Sequence, residues 1–237
     1  MRQRGLHIGV WTFVLVLALS GCAKEYRGTA DPSFDPGQAD TQTTLAVGTL
    51  RNREGAWTVR IDAATLAYVL NPETVSGLSD GTRIFLEYRL TQNAFPDFCT
   101  EAVHIQWVSA LEVGERYIIS FEEAYSEESF LSTDPLDIVQ DWITTLEDGF
   151  LTLHYAIPSS GDKKHTFALY RSWESGNHFY LVHDAQGDRY GGQTDGIVCF
   201  PLENLFPDEA GARTLTLHYI NLDNTLTTLT FDNRSPE

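Results

Sequence analysis

The pentapeptide Leu151-Thr152-Leu153-His154-Tyr155 occurs again as Leu215-Thr216-Leu217-His218-Tyr219. In each copy two leucines and a tyrosine alternate with threonine and histidine. Period-two alternation belongs to a half-buried strand, so the apolar set is expected inside and His154 and His218 outside. Two copies are too few for a repeat array and mark two similar strands. Outward from them the texture stays β. Apolar, β-branched stretches cover 138–145, 150–156, 165–170, 179–183, 197–202, 215–220 and 225–231. Turn signals separate them at Asp148-Gly149, Ser160-Gly161-Asp162, Ser175-Gly176-Asn177, Gly191-Gly192 and Asp223-Asn224. Seven short strands at this spacing predict a β-sandwich over residues 136–237.

The first half has the same texture in a smaller unit. Strand patterns cover 45–50, 57–61, 83–90 and 100–111, with a further segment at 66–70. Glu54-Gly55, Asn71-Pro72 and Asp80-Gly81 supply the turns. Five strands in this length predict an OB-like barrel over 45–120. Residues 121–135 break the pattern with Glu122, Glu123, Glu127, Glu128 and Asp134 and no basic residue. They are read as the junction, with a short helix over 122–129 as an option. The chain is thus expected to be all-β.

Before the strands lies a different kind of sequence. Arg2 and Arg4 precede an apolar run over 8–19, and Leu19-Ser20-Gly21-Cys22 follows. The run has the length of a secretory h-region and is short of the ~20 residues a spanning helix needs. The tetrapeptide resembles the lipobox of bacterial lipoproteins. That resemblance implies a signal peptide over 1–21, cleavage after Gly21 and a lipid on Cys22. Several acyl chains on one cysteine anchor a protein durably, where a single chain does not. Ala23 rather than Asp after the cysteine implies, in the same resemblance, the outer membrane, with the periplasmic or surface side open. Residues 22–44, rich in Asp, Thr, Gly and Pro, read as a tether.

The formal net charge is −17, and Lys24, Lys163 and Lys164 are the only lysines. Nucleic acid requires clustered basic residues and is excluded as a partner on this ground. Cys99 and Cys199 remain once Cys22 is lipidated. An oxidising compartment allows a disulfide, but both sit in strand-like apolar surroundings, which favours two separately buried thiols.

Several stretches together resemble the NigD-like lipoproteins of anaerobic gut and oral Gram-negative bacteria. They are Asp137-Ile138, Trp142-Ile143, Gly149-Phe150 running into the first pentapeptide, Phe167-Ala168-Leu169, Leu181-Val182-His183 and Val198-Cys199-Phe200-Pro201-Leu202. In the first half, Asp80-Gly81-Thr82-Arg83-Ile84 before Phe85-Leu86-Glu87-Tyr88 resembles the family's strand entry. The resemblance implies a lipobox, an N-terminal OB-like domain and a C-terminal β-sandwich, and no activity. Val182 and Asp184 flank His183 where the family pattern has a basic residue and an asparagine.

Four places in the sequence carry residues suited to chemistry or ligand binding. His154 and His218 would lie side by side if their strands paired, but a zinc site needs three or four ligands. Asp184, Asp188 and Asp195 surround a Gly-rich loop, which reads as a Ca²⁺ grip or, preferably, a mobile acidic hairpin tip. Tyr170, Trp173, Asn177 and Tyr180, with Phe179 and Glu174, form a candidate ligand surface of the type that holds sugars; alternating core aromatics are the competing reading. Glu101 and Glu112 to Glu115 offer carboxylates for a hydrolase at the junction. No nucleophile elbow, zinc-protease helix or phosphate loop occurs. No catalytic residue, metal ligand or cofactor is assigned. The expected function is a membrane-tethered, non-enzymatic binding or assembly module of the cell envelope with a protein or glycan partner. A carbohydrate-binding lipoprotein and an envelope hydrolase are the alternatives.

Overall fold

The computed structural model describes residues 42–119, 133–172, 177–202 and 214–232. The leader, the lipobox, Trp173, Glu174 and the optional helix at 122–129 lie outside them. The described strands fall in one compact unit, Ala39–Glu237.

Five strands form the first part: β1 (Thr44–Arg53), β2 (Ala56–Arg60), β3 (Leu66–Val69), β4 (Arg83–Thr91) and β5 (Glu101–Ala110). They close into a barrel in the order β1-β2-β3-β5-β4, with β3 and β5 parallel. This is the OB-like barrel expected from the sequence. The β1–β2 hairpin turns on Glu54 and Gly55, whose φ values of 55° and 85° match a two-residue turn with both residues left-handed. Asp148-Gly149 repeats the device later in the chain, with φ values of 48° and 80°. Leu50, Val59, Ala67, Ile84, Leu86 and Val103 fill the barrel and are fully enclosed. A single 3-10 turn, Pro72–Val75, inserts Val75 into the same core. Asn71 just before it satisfies the backbone where β4 and β5 shift register. Its Nδ2 donates to the Ile105 carbonyl at 2.8 Å, and its Oδ1 accepts from the Ile105 N–H at 2.9 Å.

Among the described residues the second part is a sandwich of ten strands, three more than the seven expected. Two of them, β6 (Glu112–Val113) and β7 (Glu115–Ile119), lie inside the 45–120 span expected for the barrel. The others are β8 (Asp137–Val139), β9 (Thr145–Glu147), β10 (Phe150–Ser159), β11 (Thr166–Ser172), β12 (His178–Asp184), β13 (Gly192–Pro201), β14 (Thr214–Ile220) and β15 (Leu226–Asp232). The strand expected over 138–145 is two short ones, β8 and β9, with Asp141 turning the chain between them. One sheet runs β6-β13-β10-β8, with β9 also on β10; the other runs β15-β14-β12-β11-β7. Leu151, Leu153, Phe167, Leu169, Phe179, Leu181, Phe200, Leu215 and Leu217 pack between the sheets.

The chain passes from barrel to sandwich without a linker. Ala110 ends β5, and β6 begins at Glu112. Gly114 then lets the backbone switch from the first sheet (β6 on β13) to the second (β7 on β11). A Cβ on Gly114 would stand 2.1 Å from the buried Phe200 ring, so only glycine fits this corner.

Candidate functional site

Strand register places Tyr117, Tyr170, Tyr180, His218 and Thr228 in one row across β7, β11, β12, β14 and β15. The next row holds His178, Thr216 and Thr230. Because Phe179, Leu181 and Leu217 point into the core, these neighbours point out. Tyr170 and Tyr180, named from the sequence, therefore stand on the outer face and not in the core, while Phe179 is core. Asn177 is half-buried and its carbonyl accepts the Thr216 N–H at 2.9 Å. Trp173 is outside the described residues.

The way the rings stand decides what the face can do. Tyr117 and Tyr170 have centroids 4.9 Å apart, and Tyr180 and His218 have theirs 4.8 Å apart, with interplanar angles of 22° and 18°. Near-parallel rings this close cannot lie side by side in one plane. They stand upright on the sheet, faces against each other, at the strand spacing. Each ring has one face covered by its stacked neighbour, and the row turns ring edges to solvent. The Tyr117 hydroxyl donates to Glu115, which pushes the phenol's pKa up. Burial does the same to Tyr180.

His178 Nδ1 and His218 Nε2 are 2.9 Å apart, and the ring centroids are 5.2 Å apart. The centroid separation equals the N···N distance plus the two ring radii. The nitrogens therefore meet head-on in a shared plane, as an N–H···N hydrogen bond and not as face-to-face stacking. Two lone pairs aimed along one line do not converge on a metal ion. Burial, then the charge of His178, holds the His218 pKa below its usual value.

No charged residue stands in these two rows. Glu115, Asp184 and Asp232 mark the borders, opposite Ala168, Thr166 and Thr214. In a chain with 33 acidic residues, a neutral face of tyrosine, histidine and threonine is a local depletion of charge. Depletion of charge with enrichment of aromatics marks the centre of an interface.

The other sequence candidates separate in space. His154 and His218 lie on β10 and β14, in different sheets, so the identical pentapeptides do not bring them together. His154 meets Asp141 at 2.8 Å through Nδ1 and Asp195 at 3.4 Å through Nε2. The three loop aspartates diverge. Asp184 is exposed and caps Gln186, and Asp195 reaches His154. Asp188 is buried. It accepts from the Ser160 N–H at 2.9 Å, from Ser160 Oγ at 2.7 Å and from Ser159 Oγ at 2.8 Å. These donors, the Ser160 backbone first, hold the Asp188 carboxyl well below the usual carboxylate range. Asp188 thereby ties its part of the loop to Ser159 and Ser160. Among the described residues no group of three His, Cys, Asp or Glu could hold a metal ion.

Sequence reasoning missed a buried pair, His165 and His183, joined Nδ1 to Nε2 at 2.8 Å. His165 also meets Asp188 at 3.4 Å, and His183 meets the Asp134 carbonyl at 3.3 Å. Burial, then His165, pushes the His183 pKa down. The alternation of β12 alone could have flagged His183, since Phe179, Leu181 and His183 share one face. The junction carboxylates do not gather. Glu101 and Glu112 flank the two ends of the ten-residue β5, about 30 Å of strand apart, beyond any glycosidase pair. Glu112 is paired with Lys164 at 3.0 Å. Cys99 and Cys199 are both free and buried, and burial pushes the Cys199 thiol up to about 11.

A closed five-stranded barrel joined to a two-sheet sandwich, with two charge-free rows on the sandwich's outer face, defines an all-β protein of two abutting parts. Residues 117–233 match the NigD-like C-terminal beta sandwich domain, and the chain belongs to the NigD-like family. Three solved structures share the fold. One, provisionally described as a toxin-related protein from Parabacteroides distasonis, has TM-score 0.66 at 15% identity, covering 82% of this chain and 94% of its own. A NigD-like immunity protein from Bacteroides caccae has TM-score 0.53 at 21% identity, covering 78% and 91%. A protein from Bacteroides fragilis, provisionally described as a lipoprotein, has TM-score 0.54 at 12% identity, covering 82% and 98%. A comparison with curated protein sequences finds no match.

Proposed function

We propose that this protein is a lipid-anchored, non-enzymatic binding or assembly module of the cell envelope, held at the outer membrane through Cys22. Its working surface is the outer face of β7, β11, β12, β14 and β15, and its partner is another envelope protein. The observation that carries this reading is the row Tyr117–Tyr170–Tyr180–His218, free of charge and bordered by acids. Upright rings, each with one face covered by its neighbour, favour a protein partner over a glycan. The lipobox and the lipoprotein description of the Bacteroides fragilis structure support the anchor.

The test is site-specific photocrosslinking of the full-length protein in the cells that make it. A photoreactive residue at Thr228, on the row, is compared with one at Glu73, exposed on the barrel. A discrete adduct at Thr228 that disappears in a Tyr180→Glu background supports the reading. Identical adducts at both positions, or none at Thr228, would overturn it.

A further inference from the structure

A second surface lies on the seam between barrel and sandwich, on residues separate from the sheet face, so either proposal can fail alone. Phe85 on β4 sits between two tryptophans. Trp107 on β5 meets it edge to face, with centroids 5.9 Å apart and planes at 79°. Trp142, from the turn between β8 and β9, stacks on it at 6.0 Å and 22°. The barrel supplies two of the rings and the sandwich the third, so the three-ring cluster forms only where the two parts meet. Both tryptophans remain open, Trp107 at 50% and Trp142 at 45% exposure, and Leu45 at 40% continues the patch.

One charged side chain stands in this apolar row. Register places Glu87 between Leu45 and Trp107. Glu87 is half-buried and, among the described residues, has neither an ion-pair nor a hydrogen-bond partner. Arg89 lies two residues along the same strand, and its buried Nε has no hydrogen-bond partner either, so this atom does not neutralise Glu87. A carboxylate flanked by an indole and a leucine is complementary to a long aliphatic stem ending in a cation. The stem would cover Leu45, the charge would meet Glu87, and the indole face of Trp107 would add a cation–π contact. The chain's net charge of −17 steers basic partners toward it.

We propose that the seam binds an arginine- or lysine-bearing segment of a partner protein, with Glu87 as the charge acceptor and Trp107 and Trp142 as the apolar walls. The probes are two short peptides identical except that one carries arginine and the other citrulline, its neutral isostere. Each is titrated calorimetrically into the full-length, detergent-solubilised protein. The arginine peptide should bind at least about tenfold more tightly, the scale of one charge-assisted hydrogen bond. Glu87→Gln should erase the preference, and Trp107→Ala should weaken both peptides. Glu73→Gln, remote on the barrel, should leave the preference intact. Equal binding of the two peptides, or a preference that survives Glu87→Gln, would overturn the proposal and reduce the effect to general acidity.

Discussion

Arg83 of the barrel donates from Nε to Thr152 Oγ1 of the sandwich at 3.2 Å, while its Nη1 donates to Thr49 Oγ1 at 3.0 Å. The guanidinium is buried over Phe150, and its other nitrogen faces Glu147 at 3.9 Å. Burial lowers the Arg83 pKa, with Glu147 and then Asp148 opposing. A cation enclosed between two β units, its fork divided between them, holds their relative position. Arg51–Asp148 at 3.0 Å and the Phe85–Trp142 stack lie on the same seam.

Arg83→Ala should therefore cost about 2–4 kcal/mol, from two lost charge-assisted hydrogen bonds and a cavity. Arg83→Met keeps volume without charge and should cost less, as apolar replacements of buried ions often do. Urea unfolding measures both. A loss under about 0.5 kcal/mol for Arg83→Ala would remove the seam role.

Gly114 is the sheet-switching corner against Phe200. Gly114→Ala should destabilise the protein by about 1–3 kcal/mol through overpacking. Adding Phe200→Leu, which removes the ring the new methyl strikes, should give a double variant more stable than the two single losses predict. Strict additivity in thermal melts would show that the clash does not govern this corner.

Buried histidines and Asp188 shape stability in acid. The pKa values of His183 and His218 are lowered in the folded protein, so the unfolded chain binds their protons first, near pH 6.5. Stability falls as pH drops through that value and levels off below the folded pKa. Asp188 is lowered as well, and its contribution is present above the unfolded value near pH 3.9 and lost as pH falls toward the folded one. Tm against pH should show a decline below about pH 7 and a steeper one below about pH 4. Asp188→Asn should flatten the lower decline, and His183→Gln the upper. Unchanged slopes in the variants would assign the acid sensitivity to other groups.

The proposed lipid anchor rests on Cys22. Metabolic labelling with a palmitate analogue should mark the wild type and not Cys22→Ser. Fractionation should move the variant from the membrane to the soluble pool. Equal labelling of the two proteins would remove the anchor from the proposed function.

Local signals carried much of this architecture. Alternation and turn residues placed all five barrel strands, and six of the seven expected sandwich strands correspond to observed ones; only 138–145 divides in two. These features depend on residues a few positions apart, where side-chain period and left-handed turn preference act directly. Composition set the charge, and Leu19 to Cys22 set the expectation of a lipid anchor. Pairing was not local. The two identical pentapeptides ended in different sheets, His154 between two aspartates and His218 against Tyr180 and His178. Likewise Tyr117, Tyr170, Tyr180 and His218 come from four strands whose register depends on partners far along the chain. Trp142 joins the barrel's Phe85, Glu87 and Trp107 only where the sandwich docks, and Arg83 bonds across that contact to Thr152 of β10. A strand's own residues say which of them face the same way; only the packed sheets decide what stands beside them.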